Sequence, residues 1–167
     1  MIPILFVPVV DGKDIAAVEA LARRIWREHY IPLIGEAQVE YMLTRFQSED
    51  AIAAQIAAGY SYYLMEEEGG RAIGYLSFVL EGDRLFLSKF YVDREHRGRG
   101  FGRRALQFVE TCARKKGVSK ITLTVNKNNA GSIRVYAKLG FVVSGPVVRD
   151  IGSGFVMDDQ GMEKVLV

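Results

Sequence analysis

The 167 residues suffice for one domain with a sizeable core, and a single domain over residues 1–167 is expected. With 49% hydrophobic and 25% charged residues, the composition is that of an ordinary globular protein, without low-complexity stretches or a linker. Twenty-two basic against 20 acidic side chains leave a net charge of +2, so composition offers no case for nucleic acid or an anionic membrane surface.

No apolar run approaches the ~20 residues that cross a bilayer. The first ten residues are apolar but lack a basic lead and a small-residue cleavage site, which reads as a cytoplasmic protein. One cysteine, Cys112, excludes an intrachain disulfide. It falls in the helical pattern Leu106, Val109, Cys112, Ala113, and packing is its expected role.

Residues 2–10, short and rich in branched side chains, read as a first strand. Asp14 then caps a helix to about residue 30, with Ile15, Val18, Leu21, Ala22 and Ile25 on one stripe and Pro32 ending it. A second helix covers about 36–45. Ser48 opens a third, with Glu49 and Asp50 in its acidic first turn, and Gly59 closes it. The period then changes: 60–66, 72–80 and 85–92 read as strands joined by the turns 68–70 and 81–83, short enough for antiparallel hairpins. A glycine-rich turn leads into a helix ending near Lys116. A strand at 120–125, a helix at 129–139 and closing strands at 141–148 and 155–166 complete one α/β domain with a mixed sheet.

The turn after the third meander strand, residues 97–103, reads Arg97-Gly98-Arg99-Gly100-Phe101-Gly102-Arg103. Glycines let backbone approach a ligand, and free amides at a helix start suit phosphate. Arg97, Arg99 and Arg103 add charge-assisted donors, so the segment predicts a pyrophosphate site. A mononucleotide loop needs Gly-Lys followed by Ser or Thr, which is missing. A dinucleotide fingerprint needs glycine where Arg103 stands, and a parallel unit where a meander is expected. A sharp basic turn exposed to solvent remains the bland alternative.

Arg97-x-x-Gly100-x-Gly102, following a strand and opening a helix, resembles the acetyl-CoA signature of the GNAT superfamily of N-acetyltransferases. Downstream, Asn129 is a good N-cap, Ile133 and Tyr136 share a helix face, and Gly140 ends the helix before Phe141. Taken alone that is a capped helix with an aromatic anchor. It also resembles the family's later motif, Asn followed seven residues on by Tyr and then Lys138-x-Gly140-Phe141. The likeness covers about residues 60–141.

The resemblance implies a GNAT-like fold, a mixed, mostly antiparallel sheet with two splayed central parallel strands (87–92 and 120–125) flanked by helices. It implies acetyl-CoA as cosubstrate and no metal. Backbone groups of Phe90, Tyr91 and Val92 would pair with the pantetheine arm, and amides from Arg97 through Gly98, Arg99, Gly100, Phe101 and Gly102 to Arg103 would hold the diphosphate. Asn129 and Tyr136 would sit near the thioester sulfur, with Tyr136 as general acid. Some relatives carry a glutamate before the Asn motif, where this chain reads Leu123-Thr124-Val125-Asn126, so the base stays unassigned. Glu81 or Asp83 could act through water, and His96 reads as a surface or phosphate-side residue.

The function implied is transfer of acetyl to a primary amine of a small molecule by direct attack, as in bacterial polyamine or small-amine acetyltransferases. Protein N-terminal or lysine acetylation and a non-catalytic acetyl-CoA-binding regulatory domain stay open. Trp26, Tyr30, Tyr41 and Phe46 either line an acceptor pocket or belong to the core. Asp158 and Asp159 either attract a cationic acceptor or form a solvated acidic turn. A small-molecule amine and a homodimer are the partners considered, without nucleic acid or membrane.

Overall fold

The computed structural model describes residues 3–167. Ile2, the first residue of the expected opening strand, lies outside them. A seven-stranded sheet has the order β1-β2-β3-β4-β5-β7-β6. Its strands are β1 (Ile4–Pro8), β2 (Ser61–Glu67), β3 (Ala72–Glu81), β4 (Arg84–Val92), β5 (Lys120–Asn126), β6 (Val142–Gly152) and β7 (Phe155–Val165). The helices among the described residues are α1 (Gly12–Ile34), α2 (Glu36–Phe46), α3 (Glu49–Ala57), α4 (Phe101–Lys115) and α5 (Ala130–Lys138). The sheet is mixed: β4 and β5 pair in parallel, whereas β1–β2, β2–β3, β5–β7 and β6–β7 are antiparallel.

The chain divides into two compact units. One holds the chain as far as Val79 together with Lys89–Ala105, and the other holds Leu80–Ser88 with Leu106–Val167.

In the first unit, Asp11 caps α1 by accepting from the Asp14 amide at 2.9 Å, and Asp14 accepts in return from Val10 N at 3.2 Å. The cap is therefore three residues earlier than expected, because the Asp11 carboxylate takes the Asp14 amide while the Asp14 carboxylate reaches back to Val10. Pro32 does not end the helix either. It sits inside the last turn, and the helix closes at Gly35, whose amide reaches the Ile31 carbonyl at 2.9 Å. Arg27 grips both oxygens of Glu40 at 2.7 and 3.0 Å, tying α1 to α2. Ser48 caps α3 through the Ala51 amide. The buried apolar side chains include Val18, Leu21, Ala22 and Ile25 of α1, Val39, Met42 and Leu43 of α2, and Leu64, Met65, Ile73 and Leu76 of the sheet.

In the second unit, the parallel ladder between β4 and β5 carries three residue pairs, Arg84↔Lys120, Leu85↔Ile121 and Phe86↔Thr122, and both strands continue beyond it. Strand β5 alternates strictly. Ile121, Leu123 and Val125 are buried, and Thr122, Thr124 and Asn126 are half-buried on the opposite face. Leu106, Val109 and Ala113 of α4 are buried at helical spacing. Cys112 is half-buried beside them, and burial pushes its thiol up. Lys164 of β7 bonds Glu110 of α4 at 2.5 Å, and the Arg114 guanidinium donates to the Val167 carbonyl at 2.7 Å.

Candidate functional site

Strand β4 leads through a short 3₁₀ turn, Arg94–His96, into the glycine turn. The entry is clamped. The Asp93 amide donates to the Ile73 carbonyl at 2.7 Å, and its carboxylate accepts from Arg24 of α1 at 2.8 Å. His96 is buried, with Nε2 3.5 Å from Glu67 Oε2 and Nδ1 4.0 Å from Asp93 Oδ2. Of the two positions expected for His96, surface or phosphate-side, burial rules out the first. The 3₁₀ turn folds the ring under the strand end, between two carboxylates.

Beyond the clamp the backbone opens to solvent. Gly98 and Gly100 adopt φ of 76° and 81°, the left-handed region that side-chain-bearing residues avoid. Among the described residues, the six N–H groups from Gly98 to Arg103 find no acceptor in the chain, and the next, Arg104 N–H, bonds the Gly100 carbonyl at 3.2 Å. The guanidinium groups of Arg99 and Arg103 are likewise unpartnered and exposed. Arg97 is not: its Nε donates to the Val92 carbonyl at 2.9 Å, so it braces the turn that its neighbours leave open. Six amides without an acceptor at the start of α4, with two exposed arginines, form a donor set suited to a doubly charged anion.

The approach strand carries a second constraint. A Cβ built on Gly74 would lie 2.4 Å from the Tyr91 carbonyl oxygen and 2.7 Å from Met65 Cε, so only glycine lets β4 lie where it does. The Tyr91 ring joins Tyr75, Trp26 and Tyr30, with centroids 5.3, 5.7 and 6.3 Å away. Trp26 is buried, and Tyr30, Tyr41 and Phe46 are half-buried.

Lys89, two residues before Tyr91, was missed by sequence reasoning. It is 5% exposed, and its ammonium donates to the Phe46 carbonyl at 2.6 Å, to Gln55 Oε1 at 3.0 Å and to the Tyr62 hydroxyl. Burial pulls this amine down to about 7, against three neutral acceptors that favour the charged form. Burial also pushes the Tyr62 phenol up. A signal was available: Leu85, Leu87 and Lys89 alternate on one strand, which aims the lysine inward with the leucines.

In the second unit, Asn129 is buried and caps α5, accepting from Ser132 N at 3.3 Å while its own amide bonds the Asn126 carbonyl at 2.9 Å. Tyr136 stands half-buried on α5, its ring edge-on to Phe141 at 5.6 Å, and the Phe141 amide bonds the Tyr136 carbonyl at 3.0 Å. Both residues thus occupy the segment that leaves the C-terminal end of β5. The hairpin carboxylates lie at the other end of that strand. Asp83 accepts from Ser119 Oγ at 2.6 Å and Glu81 pairs with Arg84 at 3.5 Å. Six residues of strand, about 20 Å, separate Lys120 from Asn126, which removes Glu81 and Asp83 as bases for chemistry beside Asn129.

The acidic pair is not a turn. Asp158 and Asp159 are interior residues of β7. Asp158 binds the Lys127 ammonium, whereas Asp159 is 5% exposed. Burial raises the Asp159 carboxyl, while Arg149 and the Thr124 hydroxyl oppose that rise. Among the described residues no cluster of three or more His, Cys, Asp or Glu could hold a metal ion, and no helix is long and apolar enough to cross a membrane.

The acetyltransferase (GNAT) family model matches residues 18–141. The chain is 23% identical over 150 residues to a spermidine N(1)-acetyltransferase of Thermoplasma acidophilum, covering 87% of this chain and 91% of that one. It is 31% identical over 97 residues to an L-methionine sulfoximine/L-methionine sulfone acetyltransferase of Pseudomonas paraeruginosa, and the match spans only 56% of that relative's length. In structure it resembles the PaiA N-acetyltransferase of Thermoplasma acidophilum, solved in complex with coenzyme A, with a TM-score of 0.80 over 99% of both chains at 20% identity. A family model covering well over half the residues, on a sheet and a donor turn of this kind, shows that the chain belongs to the GNAT family of acetyltransferases.

Proposed function

We propose that residues 1–167 form a single N-acetyltransferase domain that transfers acetyl from acetyl-CoA to a primary amine of a small molecule. The observation that carries this is the run of six unpaired amides from Gly98 to Arg103, which matches the hydrogen-bonding demand of a diphosphate. Arg99 and Arg103 add charge, and Arg97 holds the turn's shape. Gly102 has only a ring atom of Phe90 within reach of a Cβ, at 3.9 Å, so its lack of a side chain serves a ligand rather than internal packing. Backbone groups of Phe90 and Tyr91 pair with the pantetheine arm as an added strand would. The Val92 carbonyl is already engaged by Arg97.

The amine attacks the thioester carbonyl directly, and holding both reactants in place supplies a large part of the rate. The CoA thiolate leaves, and the Tyr136 hydroxyl protonates it. Asn129 positions that tyrosine by capping the helix that carries it. Relatives named for spermidine and for methionine derivatives support a small acceptor that carries a primary amine.

The test is thiol release from acetyl-CoA in the presence of a panel of amines, with CoA binding followed by calorimetry. A Tyr136→Phe variant is expected to bind CoA normally and turn over on the order of 100-fold more slowly. Unchanged turnover would remove Tyr136 from the mechanism, and failure of the parent protein to bind CoA would remove the whole reading.

A further inference from the structure

We propose that Asp159 receives the ammonium group of the acceptor and takes its first proton. The inference rests on the acetyl-transfer function above and supplies the base that the sequence left unassigned.

An acceptor amine with a pKa near ~10 is protonated at neutral pH and cannot attack a carbonyl until it loses a proton. Strand β5 offers no acid, and Glu81 and Asp83 stand a strand length away. Asp159 stands at the right end. In the antiparallel register it faces Asn126, the last residue of β5, from which the chain continues to Asn129 and the α5 helix bearing Tyr136. Register also fixes its face. Residues paired across an antiparallel ladder share a side, so Asp159 lies with Asn126, Thr124 and Thr122, opposite the buried Ile121, Leu123 and Val125. Gly161, paired with Thr124, contributes no side chain, and the Thr124 hydroxyl on the same face counters part of the rise that burial imposes on the Asp159 carboxyl.

The charged groups around it leave a position open. Arg149 of β6 acts on Asp159 from a distance, Asp158 is held by Lys127, and Glu163 on the same face lies 3.7 Å from Lys120. Among the described residues no lysine or arginine comes within ion-pair distance of Asp159. A buried carboxylate without a cation is costly, and a substrate ammonium would supply the missing charge. Burial also raises its proton affinity, which makes it a better base than an exposed aspartate.

The protons balance. An N–H bond of the ammonium breaks and its proton moves to an Asp159 oxygen. The nitrogen lone pair forms the C–N bond, the C–S bond breaks, and its electrons leave on sulfur. The second nitrogen proton reaches the thiolate through Tyr136, giving free CoA thiol, and Asp159 returns its proton to solvent.

The experiment compares the parent with Asp159→Asn, using acetyl-CoA and spermidine across pH 6–10. The variant should bind CoA as the parent does. Its kcat/KM should fall by about 100-fold at neutral pH, with the deficit shrinking toward pH 10 as free amine accumulates. Parental activity in the variant, or a deficit equal at every pH, would overturn the proposal alone; an inactive parent would overturn it together with the acetyl-transfer reading. Thr124→Val tests the same carboxyl without touching it. Losing that donor should move the acid limb of the parent's profile to higher pH, and an unmoved limb would contradict the assignment.

Discussion

Lys89 and the turn at 97–103 follow one another along the same strand and its exit, yet they hold cations in opposite ways. Lys89 is surrounded: all three of its ammonium protons are directed at internal acceptors, and burial lowers its affinity for the proton. At the turn, six amides and two guanidinium groups have no partner among the described residues. A positive group whose donors are all used inside the fold belongs to the architecture. Where donors converge on water, unused, the arrangement is explained by something that comes to bind. The contrast separates a strut from a ligand site using hydrogen bonds alone.

The largest effect expected from breaking this contrast is on binding. Arg99→Ala combined with Arg103→Ala should weaken CoA by about 100-fold, since charge-assisted bonds contribute roughly 1.5–3 kcal/mol each where they are shielded. Thermal stability should move by no more than about 0.5 kcal/mol, because neither side chain has a partner to lose. Calorimetry and thermal melts read the two quantities separately. Loss of stability without loss of affinity would place these arginines with Lys89 instead.

Lys89→Met should act the other way, on stability and its pH dependence. The folded amine titrates near 7 and the unfolded one near 10.5, so between those values the unfolded chain holds more protons. Stability of the parent should therefore rise with pH through that window, by an amount on the order of 2 kcal/mol relative to the variant by pH 9. Denaturant melts at pH 7, 8 and 9 would show it. Parallel slopes in the two proteins would mean that the three acceptors hold the lysine charged throughout.

The smallest effect is at Gly98, where alanine would meet open space but an unfavourable φ. About 1 kcal/mol of stability should be lost. CoA affinity should drop several-fold as the amides of the turn relax, as titration of the variant would show.

The elements were legible in the sequence because their punctuation is chemical: Ser48 caps, Gly59 and Gly117 stop, and the alternation of β5 survives in its burial. The glycine turn was legible for the same reason, since three glycines opening a helix are unfavourable unless the backbone there is used. What escaped depends on contacts distant in sequence. Gly74 looks like an ordinary strand residue until the Tyr91 carbonyl arrives beside it. His96 went inside because Glu67 and Asp93 flank it, and Asp159 went inside because β7 pairs with β5 there. Periodicity reports which face a residue takes, whereas the identity of its neighbours comes only with the sheet.

The central claim is that the amides from Gly98 to Arg103 hold the diphosphate of CoA. Nitrogen-15 labelled protein titrated with CoA tests it most directly. The account predicts that the resonances of these six amides shift together, saturate at the calorimetric Kd, and stay unmoved by pantetheine, which lacks the diphosphate. Binding of CoA that leaves those six signals in place would contradict it.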